Sequence, residues 1–301
     1  CVGVSLGTTV ASQLNSLAFY EAYRRTHHPD LQPVFDFLRG NLAAFVASRY
    51  GLNGPRCTVV NACSSGTDAI GTALSWIRSG RCDVVVAGGA DELNRVPLAG
   101  FNSLGIMSER PCRPFDCSRD GLNLGEGAGI LILQNGESLH RQQEASVLLA
   151  GYGSACDAHH MTAPHPEGLG LKLAVQAALA RAGVKPEDIG FVNAHGTATP
   201  DNDRVEGAAL AEIFGKELLF SSTKGRTGHT LGAAGGLEAV FTVLALTNGW
   251  LPGNVGFSEP DPDIPVQPVA KATPVAASSA VSTSLAFGGN NAAVVFRNSR
   301  D

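Results

Sequence analysis

Three residues of this 301-residue chain stand in surroundings that read as chemistry: Cys63, His195 and His229. Cys63 follows Thr58-Val-Val-Asn-Ala and precedes Ser-Ser-Gly, where a β-branched run gives way to an alanine-rich stretch. A thiol at such a strand-to-helix junction meets the positive end of the helix and its unpaired N–H groups, which favour thiolate. Ala62, Ser64, Ser65 and Gly66 are small enough for a sharp turn and for the approach of a substrate. A buried structural cysteine is the plain alternative. Ser64 and Ser65 lack the G-x-S-x-G setting of a hydrolase nucleophile.

Each histidine lies in a loop bracketed by glycine. His195 ends Phe191-Val-Asn-Ala-His195 and is followed by Gly-Thr197-Ala-Thr199-Pro, just beyond a strand. His229 lies in Lys224-Gly-Arg-Thr-Gly-His229-Thr-Leu-Gly-Ala-Ala-Gly-Gly-Leu-Glu238, a loop that opens a helix. Alone, either reads as a hydrogen-bonded structural residue. With a reactive thiol, the pair suits one reaction. A thioester with a β-carboxylate that loses CO₂ becomes an enolate, and a neutral imidazole N–H aimed at its oxygen contributes about 2.7–4 kcal/mol in a dry pocket. Lys224 either adds a fixed positive charge there or forms a structural ion pair with Glu238. The double glycine after Phe287, in Val281-Ser-Thr-Ser-Leu-Ala-Phe287-Gly288-Gly-Asn-Asn, joins two strands. It is either a plain hairpin or a turn whose Phe287 N–H pairs with that of Cys63 as an oxyanion hole.

The elements that must place these residues alternate between short β-branched runs and alanine-rich helical stretches. Strands are expected at Val2–Val4, Thr58–Asn61, Asp83–Ala87, Ile130–Leu133, Val147–Tyr152, Phe191–Ala194, Val281–Ser284 and Ala292–Phe296. Helices are expected at Leu42–Tyr50, Ser65–Ser79, Leu171–Ala182, Asp203–Phe214 and Gly235–Asn248. Strands that read as continuous apolar runs between helices indicate α/β layers with buried sheets. Pro-rich Gly253–Pro274 reads as a surface excursion.

Composition narrows the function. Hydrophobic residues make up 44% and charged residues 16% of the chain, enough apolar material for one large domain or two fused halves. The net charge of −5 gives no support to nucleic-acid binding. Seven cysteines follow neither disulfide nor zinc spacing, which suits a cytoplasmic protein without a metal site. No signal peptide and no charge-free apolar run of roughly 18 residues is found, so no membrane span is expected.

Taken in order, Asn-Ala-Cys63-Ser-Ser-Gly, Asn-Ala-His195-Gly-Thr-Ala-Thr-Pro, Lys224-x₄-His229-x₂-Gly-Ala-Ala-Gly and Phe287-Gly-Gly-Asn-Asn strongly resemble the elongating β-ketoacyl-acyl-carrier-protein synthases of type II fatty-acid and polyketide synthesis. Asp157-Ala-His-His160-Met-Thr162 and Gly125-Glu-Gly-Ala-Gly are similar to further segments of that family. The resemblance implies a thiolase-like fold: two similar βα halves in an α-β-α-β-α arrangement, one over 1–143 with the nucleophile and one over 144–301 with both histidines. Family members carry about a hundred more residues before the strand at Val2, so the N-terminal part of the fold is expected to be missing.

The resemblance also implies a two-step reaction without a bound cofactor, on substrates carried by the phosphopantetheine of acyl-carrier protein. Cys63 takes an acyl group, and His195 and His229 assist decarboxylation of malonyl-carrier protein. The resulting carbanion attacks the Cys63 thioester. Phe287 matches a gating phenylalanine, and Thr197 and Thr199 match hydroxyls beside the phosphopantetheine arm. Asp157, His160 and Glu238 are supporting positions. Arg110 and Arg113, with Thr162, are candidates for carrier-protein contact. The assembly implied is a homodimer, or a heterodimer with a chain-length-factor-like subunit.

Departures from the family are Leu285, Ala286 and Asn290 within Leu285-Ala-Phe-Gly-Gly-Asn-Asn291, where the usual run is Phe-Gly-Phe-Gly-Gly-Thr-Asn, and a shorter Phe101–Phe115 segment. Thiolases, with a second catalytic cysteine, and initiating synthases, with Cys-His-Asn, do not match His229. Chain-length factors lack the nucleophile. A Cys63–His195 hydrolase would need neither His229 nor Lys224. A nucleotide site at Gly125-Glu-Gly-Ala-Gly lacks a phosphate-cradling helix.

Overall fold

The computed structural model describes residues 1–9, 14–39, 41–136 and 147–299. The first stretch runs β1 (Val2–Gly7), α1 (Leu14–Thr26), α2 (Gln32–Arg39), α3 (Leu42–Arg49), β2 (Arg56–Val59), α4 (Ser65–Arg78), β3 (Val84–Asp91), α5 (Arg95–Ser103) and β4 (Gly127–Gln134). The second runs β5 (Val147–Cys156), α6 (Leu169–Ala182), β6 (Phe191–Asn193), α7 (Pro200–Phe214), β7 (Phe220–Ser221) and the single turn α8 (Lys224–Thr227). It continues with α9 (Ala234–Asn248), β8 (Trp250–Leu251), β9 (Thr273–Pro274), β10 (Ser279–Ala286) and β11 (Asn290–Asn298).

The strands form two principal sheets, ordered β2-β1-β3-β4 and β7-β6-β10-β11-β5. In the first, β1 pairs parallel with β2 and β3, and β4 turns antiparallel to β3. The second repeats that pattern: β6 is parallel to β7 and β10, and β11 is antiparallel to β10. This is the pair of similar halves that the resemblance implies. The expected division at 143/144 lies outside the described residues.

Helices α4 and α9 form the layer between the sheets. Helix α4 packs on β1 and β3 on one side and on β5 and β11 on the other, and α9 packs on β3, β4, β10 and β11. With α3 over β1 and β2 and α6 over β5 and β11, the order of layers is α-β-α-β-α. A middle-layer helix has no face toward water, so it is apolar nearly all round. The stretch Leu231–Asn248, which contains α9, is apolar and long enough by composition to cross a membrane; here it lies between the sheets and carries the buried Glu238. The two middle helices nearly touch, since a Cβ at Gly66 would lie 2.7 Å from the Gly236 nitrogen. Glycine is required at that crossing.

Every expected strand and helix is present, with shifted ends. The strand before Cys63 stops at Val59, ahead of a turn in which Ala62 takes φ of 48°. Helices α1, α2 and α5 were not expected. Helix α5 contains Pro97 and Gly100, and α1 presents Tyr20 and Tyr23 to solvent, so neither shows a clear apolar stripe. The Gly253–Pro274 segment is more than a surface excursion: Ile264 and Val266 enter the core of the second half, and buried Asn254 accepts from the Ser222 N–H and donates to the Pro114 carbonyl.

Candidate active site

The turn between β2 and α4 places Cys63 in the interior, 4% exposed. His195 leaves the end of β6, and His229 lies between α8 and α9; both are 2% exposed. The three side chains, distant in sequence, line one cavity of about 240 Å³. Cys63 Sγ is 3.0 Å from His229 Nε2. The two imidazoles stand perpendicular, with centroids 5.2 Å apart.

His195 is held on every side. Its backbone N–H donates to Glu206 Oε1 at 2.8 Å, and the next N–H, of Gly196, donates to Glu206 Oε2 at 2.8 Å. Thr283 Oγ1 also donates to Glu206. Lys224 Nζ donates to the His195 carbonyl at 2.5 Å, to His195 Nδ1 at 3.2 Å and to Glu238. An ammonium group offers only donors, so Nδ1 must accept and the imidazole proton sits on Nε2. Lys224 thus aims the His195 N–H into the cavity. Its ion pair with Glu238 is buried, and both sequence roles meet in one residue, as anchor and as nearby positive charge.

Apart from the contact of its Nε2 with Cys63, His229 is held through its main chain. Its N–H donates to the Asn123 carbonyl at 2.7 Å, and its carbonyl accepts from the Gly125 N–H at 3.0 Å. The Gly125-Glu-Gly-Ala-Gly run therefore braces the histidine loop. Asp91 Oδ2 accepts from the Gly232 N–H at 2.6 Å and steadies the far side of that loop. His229 Nδ1 has no hydrogen-bond partner among the described residues.

Burial lowers the pKa of both imidazoles well below the ordinary histidine value, with Lys224 acting in the same direction and His229 adding to the effect on His195. Both are neutral at neutral pH, as an N–H donor to an enolate must be. The expected helix-stabilised thiolate at Cys63 is corrected: burial pushes the thiol up to about 12, against the pull of Lys224 and of the Phe287 backbone N–H. Desolvation outweighs the helix end in this pocket. Cys63 rests as a thiol, and His229 Nε2 is the nearest group to take its proton.

The Phe287 N–H faces the Cys63 sulfur. Gly288 does not supply a donor, because its N–H is bonded to the Met161 carbonyl at 2.7 Å. It supplies the turn, at φ of 82°. The Phe287 ring stacks on Phe101 with centroids 5.3 Å apart, and Phe101 meets His229 edge-on. Of the departures in that run, Leu285 and Ala286 line the cavity and Asn290 Nδ2 braces the turn by donating to the Phe287 carbonyl at 3.2 Å.

Thr197 and Thr199 share a hydrogen bond of 2.9 Å and line the cavity together with Thr162 and Asp157. Asp157 also accepts from the N–H groups of His165 and Gly170. His160 is exposed and accepts from the N–H groups of Thr162 and Ala163, which shapes the rim. Arg110 and Arg113 do not line the cavity. Arg110 pairs with Asp120 on the surface, and Arg113 bonds Ser118 and lies 3.8 Å from Asp116.

Four residues of the site went unread in the sequence: Glu206, Asp203, Asp91 and Phe101. Asp203 accepts from the N–H groups of Phe115 and Ala198, and burial raises it to about 6. The available signal was two acids, Asp203 and Glu206, a turn apart on a helix that follows the His195 loop.

Comparison with known proteins gives a consistent picture. Residues 1–138 match the model of the β-ketoacyl synthase N-terminal domain, and residues 147–258 that of the C-terminal domain. The chain is 37% identical over 98% of its length to a mitochondrial 3-oxoacyl-[acyl-carrier-protein] synthase of Arabidopsis thaliana, of which it covers 68%. It is 40% identical over 82% of its length to 3-oxoacyl-[acyl-carrier-protein] synthase 2 of Staphylococcus aureus, of which it covers 64%. It therefore spans about two thirds of the length of these curated relatives, by those shares of 68% and 64%. The structure described as the ishigamide ketosynthase/chain length factor superposes with a TM-score of 0.92 at 34% identity, over 99% of this chain and 75% of that one. A β-ketoacyl synthase from Burkholderia phymatum superposes with a TM-score of 0.90 at 31% identity, over 99% of this chain and 75% of that one.

Proposed function

Because the chain belongs to the β-ketoacyl synthase family, we propose that it carries the condensing site of a 3-oxoacyl-[acyl-carrier-protein] synthase, with Cys63 as nucleophile. The observation that carries this reading is the convergence of one thiol and two neutral imidazoles on a single cavity. In the first step Sγ attacks the acyl thioester of acyl-carrier protein, and the carbonyl oxygen gains negative charge beside the Phe287 N–H. The carbon–sulfur bond to phosphopantetheine breaks. The proton of Sγ passes through His229 Nε2 to the departing thiolate, and the acyl group remains on Cys63.

In the second step malonyl-carrier protein loses CO₂, and the electron pair of the broken bond becomes an enolate. The N–H groups of His195 and His229 donate to its oxygen. The enolate carbon attacks the Cys63 thioester, a carbon–carbon bond forms, and the sulfur leaves as thiolate and takes a proton from water by way of His229 Nε2. The product is a β-ketoacyl chain longer by two carbons. No described residue bonds His229 Nδ1, so the tautomer of that ring is not fixed as that of His195 is, which suits a group that accepts a proton in one step and donates in the other.

Substrates arrive on phosphopantetheine, and Thr197, Thr199 and Thr162 form the polar side of its entry. Two solved relatives are titled as a ketosynthase with a chain length factor. A two-subunit assembly, with a second copy or with such a partner, is the corresponding proposal here. Strand β2, the edge of its sheet among the described residues, and the exposed Phe45, Tyr50 and Val60 near it support a partner on that side. All seven cysteines are free, which supports work in a reducing, cytoplasmic setting.

Intact mass after incubation with a panel of acyl-carrier proteins tests the reading. The expected result is an acyl adduct lost in Cys63→Ala, while Cys63→Gln retains decarboxylation of malonyl-carrier protein. An adduct that persists in Cys63→Ala removes the assignment.

A further inference from the structure

The turn that presents Cys63 is strained, with non-glycine Ala62 in the left-handed region at φ of 48°. Such a turn persists only where its surroundings fix it: the Ser65 hydroxyl bonds the Asn61 N–H and the Ala62 carbonyl, and a buried carboxylate on α4 holds the side chains on either side of Ala62 and Cys63. Asn61 Nδ2 donates to Asp68 Oδ2 at 2.6 Å, and Ser64 Oγ lies 2.8 Å from the same oxygen. These two residues flank Ala62 and Cys63 in the chain. The other oxygen, Oδ1, accepts from the Tyr152 hydroxyl at 2.8 Å. Tyr152 belongs to β5, in the other sheet.

The Tyr152 contact is built into α4. A Cβ at Gly71 would lie 2.4 Å from the Tyr152 ring, so only glycine admits the ring at that point on the helix. Burial and the Asp68 charge hold the Tyr152 hydroxyl in its protonated, donating form. Asn61, Ser64 and Tyr152 thus converge on the two oxygens of a residue that is 7% exposed. A carboxylate offers an acceptor to each of them; an amide would turn an NH₂ toward one. Asp68 bonds the residues on either side of Cys63, and so reaches it through the backbone.

We propose that Asp68 is the positioning residue of the nucleophile, clamping Asn61 and Ser64 on either side of Cys63 and anchoring the turn to the second sheet through Tyr152. The proposal rests on the reading of Cys63 as the acylated residue. It concerns the acylation step, since neither histidine touches this network.

The test compares the two half-reactions. Asp68→Asn is expected to slow single-turnover acylation of Cys63 by about 10- to 100-fold, the order that misplacement of a reacting atom costs. In the Cys63→Gln background, the same change should leave malonyl decarboxylation unaltered. Tyr152→Phe removes one donor, keeps the ring on Gly71, and should slow acylation less but in the same selective way. Unchanged acylation in Asp68→Asn overturns the proposal. So does an equal loss of both half-reactions, which marks a general structural role. If Asp68→Asn does not fold, Tyr152→Phe decides: a selective loss of acylation upholds the clamp and no loss overturns it. A wild-type chain that forms no acyl adduct at all defeats the condensing reading first, and the clamp with it.

Discussion

The two histidines share one cavity and differ in almost everything behind them. His195 rests on a polar floor: Lys224 fixes its ring, Glu206 fixes its main chain, and Glu238 fixes Lys224. His229 rests on a loop held by backbone bonds, with an unpartnered Nδ1 and an apolar neighbour, Phe101. A locked tautomer suits a group with one task throughout the cycle. A ring without such a lock suits a group that must both take and give a proton. The same wall carries the Phe101–Phe287 stack, so the less constrained side of the site is also its apolar side.

Substitution of the histidines breaks the comparison most directly. His229→Ala should lower malonyl decarboxylation by about 100- to 1000-fold and slow acylation as well, because both steps use Nε2. His195→Ala should match it in decarboxylation and leave acylation nearly intact. Separate assays of the two half-reactions check this, and equal acylation in the two variants would erase the distinction. The pH profile adds a second reading. Both rings must be neutral, and both pKa values are lowered, so decarboxylation should stay level down through pH 6.5 and fall only on further acidification. Stability follows the same sign. Below pH 6.5 the unfolded chain takes up protons that the buried rings refuse, so the native state loses stability as pH falls from that point.

Lys224 sharpens the account of the polar floor. Lys224→Met leaves Glu238 buried without its cation, which costs about 3–5 kcal/mol of stability, and it frees the His195 tautomer. Lys224→Met with Glu238→Gln removes both charges and should recover most of the melting temperature. Decarboxylation should remain depressed by about 100-fold or more in the double variant, since the His195 N–H is no longer aimed. Recovery of both properties would reduce the pair to a structural one.

On the apolar side, the expected effect is a shift in preference. Phe101→Ala removes the ring against which Phe287 stacks and opens the cavity near Cys63. Longer acyl chains should gain over shorter ones by about 10-fold in kcat/KM, the order associated with a methylene or two in an apolar pocket. Competition between carrier proteins loaded with chains of different length reads this directly. An unchanged preference would place the length limit elsewhere.

The contrast between the two walls also decides what was legible in the sequence. Cys63, His195 and His229 sit where strands end in small residues and glycine, and those local patterns are visible one-dimensionally. The layers were legible too, because buried strands and middle-layer helices must be apolar. What lies behind the site was not. Glu206 and Asp203 look like surface acids of an amphipathic helix until the fold turns them inward onto the N–H groups of residues 195, 196 and 198. Phe101 belongs to a helix with no readable stripe, and its partner is almost two hundred positions away. The thiol was misjudged because the helix end is local and desolvation is a property of the cavity.

The smallest effect is expected where the sequence reading placed carrier-protein contact. Arg110 is exposed and already paired with Asp120, and Arg113 is half-exposed beside Asp116 and Ser118. Neither borders the cavity, whose rim is formed by Thr162, Thr199, Asp201 and Asn202. Exposed ion pairs contribute about 0–1 kcal/mol, so reversing both charges should leave folding and the acylation of Cys63 by small thioesters unchanged. A remaining effect belongs to encounter with an acidic carrier, and it should appear as a higher KM that salt abolishes. Measured at two ionic strengths, a KM that does not move with Arg110→Glu and Arg113→Glu removes these residues from the docking surface. A KM that rises only at low salt restores them, at a distance from the cavity that the phosphopantetheine arm must span.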